Sequence, residues 1–173
     1  LRTGSIASQS RISNALIKFA DRGGTVIGIC NGFQILTELK LLPGTLVRNK
    51  NLKFICKDIN LKVNKNSRFT NLYNNNEVIR IPIAHAEGNY YADKKTLKKL
   101  KDNDQIIFSY CNKNGDITKE SNPNGSLLNI AGITNKKGNV LGLMPHPERV
   151  SEKVFNNTDG IKFFKSVVNY HNY

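Results

Sequence analysis

Residues 25–39 constrain the fold of this chain more than any other stretch, because they read as a buried strand that turns straight into a helix. Thr25-Val26-Ile27 is apolar and β-branched, Gly28-Ile29-Cys30-Asn31-Gly32 interrupts it, and Phe33-Gln34-Ile35-Leu36-Thr37-Glu38-Leu39 follows helical spacing. A strand-to-helix corner of this kind predicts an α/β domain with the Cys30 sulfur exposed at the strand's carboxyl end, a nucleophile elbow. Glycines two residues either side of Cys30 are expected to relieve crowding at a corner whose central residue is strained. The helix beside Cys30 aims unpaired N–H groups at the sulfur, which is expected to favour thiolate over thiol. The Asn31 N–H, which comes directly after the nucleophile at the helix start, is the oxyanion donor this geometry supplies. A buried structural cysteine in an ordinary strand-to-helix turn fits the same pentapeptide.

The partners such a nucleophile needs stand near the other end. Val140-Leu141-Gly142-Leu143-Met144 reads as a second buried strand and runs into Pro145-His146-Pro147-Glu148-Arg149. Prolines on both sides of His146 predict an extended segment, so that His146 and Glu148, two apart, project to one side. A cysteine nucleophile requires an imidazole to take and return its proton, and the imidazole requires an acceptor on its other nitrogen. Alone, the segment is equally a loop histidine beside a surface glutamate. The two motifs together point to Cys30, His146 and Glu148 as a catalytic set.

Four segments carry a family resemblance: Gly28-Ile-Cys30-Asn-Gly32-Phe-Gln34, His85-Ala-Glu87-Gly88-Asn89-Tyr90, Asn122-Pro-Asn124-Gly125-Ser126 and Met144-Pro-His146-Pro-Glu148-Arg149. They resemble the signature segments of class I glutamine amidotransferases, and the second and third resemble those of the glutaminase subunits of phosphoribosylformylglycinamidine synthase. The resemblance implies one domain over residues 1–173, with a mostly parallel, flavodoxin-like central sheet flanked by helices and an antiparallel excursion. It implies hydrolysis of glutamine to glutamate and ammonia, with Gln34 and His85 helping Asn31 hold the substrate. It also implies a large synthetase subunit as partner, with a small bridging subunit. That partner would carry ATP and magnesium and convert formylglycinamide ribonucleotide to the amidine, while this chain holds no cofactor or metal. Two other readings remain: a stand-alone cysteine hydrolase of related fold, such as a gamma-glutamyl hydrolase, and a catalytically inactive binding or regulatory domain. Leu1-Arg2-Thr3-Gly4 resembles the tail of a Gly-Gly loop that comes after a strand-helix-strand unit in the family. On that resemblance, the chain lacks those amino-terminal strands and one oxyanion donor with them.

Composition bears on partners and compartment. The formal net charge of +13 raises nucleic-acid binding as a function. The lysines are scattered, however, among asparagines in runs such as Asn49-Lys50-Asn51, Asn64-Lys65-Asn66 and Asn135-Lys136-Lys137. These read as a composition bias, and the dense run 94–101 reads as the solvated face of a short helix with Leu97 and Leu100 turned inward. No apolar run approaches the roughly 20 residues of a membrane span. Cys30, Cys56 and Cys111 are far apart without metal-ligand spacing, which suits a reducing, cytoplasmic setting, with Cys56 and Cys111 expected as small core residues.

The rest of the chain alternates strands and helices. Ile12, Ala15, Leu16, Phe19 and Ala20 keep helical spacing up to Gly23-Gly24. Segments 54–63 and 78–84 alternate as strands, the second kept to an edge or bulge by Pro82. A strand is expected over 105–111, a hairpin around 135–139, and a closing amphipathic helix over 160–171. Nothing in the sequence matches a phosphate-binding loop or a carboxylate cluster for magnesium, so the chain can release ammonia but not consume it. The loop from His85 to Tyr90, with Glu87 and Tyr90, is expected to meet the partner.

Overall fold

A computed structural model describes residues 10–171. The expectations placed on 1–4 lie outside the described residues. Twelve elements run in the order α1 (Ile12–Asp21), β1 (Val26–Ile29), α2 (Asn31–Glu38), β2 (Thr45–Val47), β3 (Ile55–Val63), β4 (Val78–His85), β5 (Asn89–Tyr91), α3 (Lys94–Asp102), β6 (Ile106–Cys111), β7 (Ile130–Thr134), β8 (Val140–Leu143) and α4 (Ile161–His171). Short 3₁₀ turns cover Leu127–Asn129, Pro147–Val150 and Lys153–Phe155.

Six strands form one mixed sheet in the order β1-β8-β7-β6-β3-β4, and β2 and β5 pair separately. The expected α/β class stands, with a larger antiparallel share than an excursion. Among the described residues only β1 and β8 run parallel; the pairs β8·β7, β7·β6, β6·β3 and β3·β4 are antiparallel. The reason is connection length: the five residues 135–139 between β7 and β8 allow only a hairpin, and no crossover helix separates β3 from β4. Pro82 sits on β4, at the sheet edge, where its missing N–H breaks no ladder.

β6, β7 and β8 are buried on both faces, whereas β3 and β4 bury alternate residues, and the core divides accordingly. One apolar cluster joins Ile59, Leu61, Val63, Ile81, Ile83 and Phe108 to Phe163 of α4. The other joins Val140, Ile133 and Met144 to Phe33 and Leu36 of α2, Ala20 of α1 and Leu100 of α3. Burying a Phe or Leu side chain contributes about 1.5–3 kcal/mol each, so α2 is pinned to the sheet by Phe33 and Leu36. The apolar stripe read on α1 is covered only in part, for Ile12 and Phe19 are exposed among the described residues. Cys111 is buried as expected, but Cys56 is exposed. The cause lies in the register: β6 pairs with β3 only from Asn60 to Val63, so the start of β3 projects past that neighbour.

Candidate active site

β1 and β8 lie side by side and parallel, with Ile29 opposite Leu143, so both strands deliver their carboxyl-terminal loops to the same end of the sheet. Cys30 comes directly after β1, and His146 three residues after β8. The Cys30 N–H donates to the Leu143 carbonyl at 2.8 Å, which ties the corner to the neighbouring strand. Cys30 has φ 53°, ψ −106°, a conformation that costs a non-glycine residue roughly 1–3 kcal/mol, and α2 begins at the next residue.

The two glycines of the corner are not equivalent. A Cβ on Gly28 would come within 2.5 Å of Leu36 Cδ1 and 2.6 Å of the Gly32 backbone, whereas a Cβ on Gly32 meets nothing within 4 Å among the described residues. The expectation of crowding therefore holds at Gly28 and fails at Gly32, because the corner folds Gly32 over Gly28 and leaves the outer side of Gly32 open.

His146 is buried and Glu148 half-exposed, and His146 Nδ1 lies 2.5 Å from Glu148 Oε1. The pairing was legible in the sequence, but the local conformation is not the extended one expected. Pro147 opens a 3₁₀ turn over Pro147–Val150 and occupies its first position, where its missing N–H costs nothing. The turn brings Glu148 back under the imidazole. The segment is anchored from outside by the His146 N–H, which donates to the Pro82 carbonyl on β4 at 2.9 Å.

A cavity of about 530 Å³ opens over this end of the sheet, and Cys30, Asn31, Gln34, His85, Glu87 and His146 line it. All six residues expected at the site thus share one cavity or, for Glu148, bond directly to a residue that lines it. Cys30 and His146 are not hydrogen-bonded to each other: the Cys30 thiol faces the Ala84 carbonyl at 3.8 Å, and His146 Nε2 has no partner. Gln34 is buried and donates from Nε2 to the Glu87 carbonyl at 3.1 Å, so it braces the loop after β4. Asn31 is exposed at the helix start.

Electrostatics correct the sequence reading of the thiol. Burial pushes the Cys30 pKa up, and this outweighs the Asn31 N–H and the positive charge of Arg149, both of which lower it, while Glu148 raises it further. The helix N–H acts in the expected direction but is the smaller effect, because a buried thiolate loses its hydration. Arg149, which also lines the cavity, is the cation that sequence reasoning did not assign.

Two further features have structural roles that the sequence does not announce. Asn49 is fully buried and bonds to both ends of the 85–88 loop, and its run had passed for composition bias. The segment Asn122–Ser126 packs beneath the same loop: Asn124 Nδ2 and the Ser126 hydroxyl donate to the Gly88 carbonyl at 2.8 and 3.2 Å, and the Ser126 hydroxyl oxygen accepts the Tyr90 N–H. Tyr90 itself is buried, lies near-parallel to the Phe33 ring, and donates to the Pro43 carbonyl at 2.8 Å. It therefore cannot meet a partner protein, contrary to expectation; its ring belongs to the core because β5 turns it inward against α2. Among the described residues no group of three or more His, Cys, Asp or Glu is placed to hold a metal ion, and no helix is long and apolar enough to cross a membrane.

A family model described as the CobB/CobQ-like glutamine amidotransferase domain matches residues 2–171. The phosphoribosylformylglycinamidine synthase subunit PurQ of Koribacter versatilis is 56% identical over 97% of this chain and 73% of its own length. The PurQ subunit of Synechocystis is 54% identical, over 96% of this chain and 75% of its own. Among solved structures, that of PurLQS from Thermotoga maritima superposes with a TM-score of 0.84 at 42% identity, covering 98% of this chain and 73% of that one.

Proposed function

The chain belongs to the PurQ family of glutamine amidotransferases, and from that premise we propose that Cys30, His146 and Glu148 form its catalytic triad. His146 Nε2 takes the thiol proton as Cys30 Sγ bonds to the side-chain amide carbon of glutamine, and the Asn31 N–H receives the oxyanion. His146 returns the proton to the nitrogen, the C–N bond breaks and ammonia leaves. Water, deprotonated by the same imidazole, then cleaves the thioester to glutamate and frees the thiol. Glu148 holds the Nδ1 proton in place and stabilises the imidazolium. Gln34 and His85 help position the substrate.

The observation that carries this reading is the 2.5 Å contact between His146 and Glu148 in a cavity that also contains a cysteine held at positive φ. A buried thiol of raised pKa fits a nucleophile that is ionised only when the imidazole takes its proton, and apo sites commonly tighten on binding substrate.

Ammonia released into neutral water becomes mostly ammonium, which is no nucleophile. We therefore assign the acceptor chemistry to a large synthetase subunit, with a small bridging subunit; the likeness to the PurLQS structure from Thermotoga maritima supports a synthetase partner. That subunit would bind ATP and magnesium and use formylglycinamide ribonucleotide, in the cytoplasm. The docking face includes the mouth of the cavity, where Glu87 lies.

The experiment is a coupled assay of glutamate and ammonia release, with and without the synthetase subunit and its substrates, on the unmodified chain and Cys30→Ala. Glutamine-dependent product that rises with the partner and vanishes in Cys30→Ala supports the assignment. Undiminished turnover in Cys30→Ala refutes it.

A further inference from the structure

Among the described residues, two buried side-chain nitrogen or oxygen atoms have no hydrogen-bond partner: Nε2 of His146 and Nε2 of His85. Both rings line the same cavity. A buried acceptor left unpaired costs about 1–3 kcal/mol, so two of them at one site call for a ligand that satisfies both.

Each ring has its proton position set from behind. His146 Nδ1 faces a carboxylate oxygen of Glu148, which can only accept. His85 Nδ1 lies 3.0 Å from Asn49 Oδ1. The orientation of that amide is dictated by its other bonds: the Gly88 N–H, 3.1 Å from Oδ1, can only donate, and the carbonyls of Lys53 and His85, each 2.8 Å from Nδ2, can only accept. His85 therefore carries its proton on Nδ1, and its Nε2 is a bare lone pair. The Gly88 backbone lies close against the ring, in space that a side chain there would take from the imidazole.

The two histidine pairs differ by one charge. The glutamate behind His146 stabilises an imidazolium, so that ring can take a proton. The amide behind His85 offers no such help, and burial with the nearby His146 pushes its pKa down to about 4. His85 at neutral pH accepts hydrogen bonds and not protons.

We infer that Asn49 is a positioning residue that holds His85 as a specificity determinant, whose Nε2 accepts one N–H of the substrate's primary amide while His146 exchanges a proton with the same nitrogen. The inference rests on the glutaminase reading above. An amide –NH₂ has a hydrogen to give His85 Nε2, and in the tetrahedral adduct its nitrogen has a lone pair to receive the proton that His146 carries. A carboxylate in its place has no hydrogen and meets a lone pair instead, so the site favours glutamine over glutamate and helps to expel its product.

Nitrogen-15 spectra of the histidine rings in the unmodified chain test the first step. A single Nδ1–H form of His85 at neutral pH is expected; an Nε2–H form overturns the inference. Calorimetric titration with glutamine and with glutamate, in a Cys30→Ala background that prevents turnover, tests the second. His85→Asn keeps a donor toward Asn49 and removes Nε2. It should weaken glutamine binding about 10-fold or more, the equivalent of one lost hydrogen bond, and leave glutamate unchanged or tighter. Equal weakening of both ligands overturns the inference while the triad assignment stands. Asn49→Ala should release an Nε2–H form of His85 and reduce the preference for glutamine; should that variant not fold, His85→Asn and the ring spectra still decide. Binding of neither amino acid by the Cys30→Ala chain overturns the inference, whereas only the coupled turnover assay bears on the triad.

Discussion

Gly28→Ala and Gly32→Ala should have opposite effects, although the two glycines flank Cys30 symmetrically. The added methyl at Gly28 would lie 2.5 Å from Leu36 Cδ1 and 2.6 Å from both C and O of Gly32. The leucine methyl can rotate aside, but the backbone of Gly32 cannot, so the first turn of α2 must move off β1. Overpacking that forces backbone shifts costs typically 1–3 kcal/mol, and a clash with main chain belongs at the upper end, about 2–3 kcal/mol. For a chain of this length each kcal/mol lowers Tm by about 2–4 °C, so Gly28→Ala should melt roughly 5–10 °C lower. The displaced turn carries the Asn31 N–H and the Cys30 backbone, and misplacement by about 1 Å costs on the order of 10²-fold in turnover. At Gly32 the methyl enters open space within a helix, where alanine is better than glycine by up to about 1 kcal/mol, so Tm should hold or rise by about 1–3 °C. Differential scanning calorimetry with guanidinium unfolding as a check on two-state behaviour measures both. A Gly28→Ala chain that melts within about 1 °C of the unmodified one, or a Gly32→Ala chain that falls as far, would refute the account of the corner.

Glu148→Gln should reduce stimulated turnover by about 10²–10⁴-fold, and His146→Ala should reduce it more, since the first misplaces the base and the second removes it; the coupled assay reads both. Iodoacetamide should reach the exposed Cys56 before Cys30 in the resting chain, whereas a glutamine-like electrophile should select Cys30, as mass spectrometry of peptides can show. Arg149→Ala should slow Cys30 alkylation at pH 7 several-fold, because losing the cation raises the thiol pKa further and reduces the thiolate fraction. The unfolded chain binds a proton at His85 near pH 6.5 and the folded chain only near pH 4, so acid favours unfolding between those values. Stability should fall by about 3 kcal/mol as pH drops through that window, and His85→Asn should flatten this part of the profile in urea titrations.

The parts of the site that the sequence revealed are those with local punctuation. Strand, glycine, cysteine, glycine, helix is written in adjacent residues, and so is the spacing of His146 and Glu148. Pro147 was read for what it forbids, while its fitness for the first position of a 3₁₀ turn decided the conformation. The thiol pKa was misjudged because a helix end can be seen in sequence and desolvation cannot: burial of Cys30 is a property of the whole cavity. The β2·β5 pair went unseen because each strand has three residues, too few to show a period, and exists through the partner. Asn49 was hidden for a different reason. Its importance lies in presenting a donor on one side and an acceptor on the other, and no spacing along a chain announces that.

The parallel pairing of β1 with β8 also bears on when activity can arise during synthesis. Val26 aligns with Val140, so the two strands that lead into Cys30 and His146, the proposed nucleophile and base, lie far apart in sequence. Contacts of such high sequence separation form late, after the intervening segments have condensed and the cost of closing the loop has been met. A nascent chain bears Cys30 long before β8 is made, yet it cannot place His146 beside it until β8 has emerged and docked. On the proposed triad, unfinished or misfolded copies should be inert, and a cell carrying them should lose no glutamine to hydrolysis without a recipient for the ammonia.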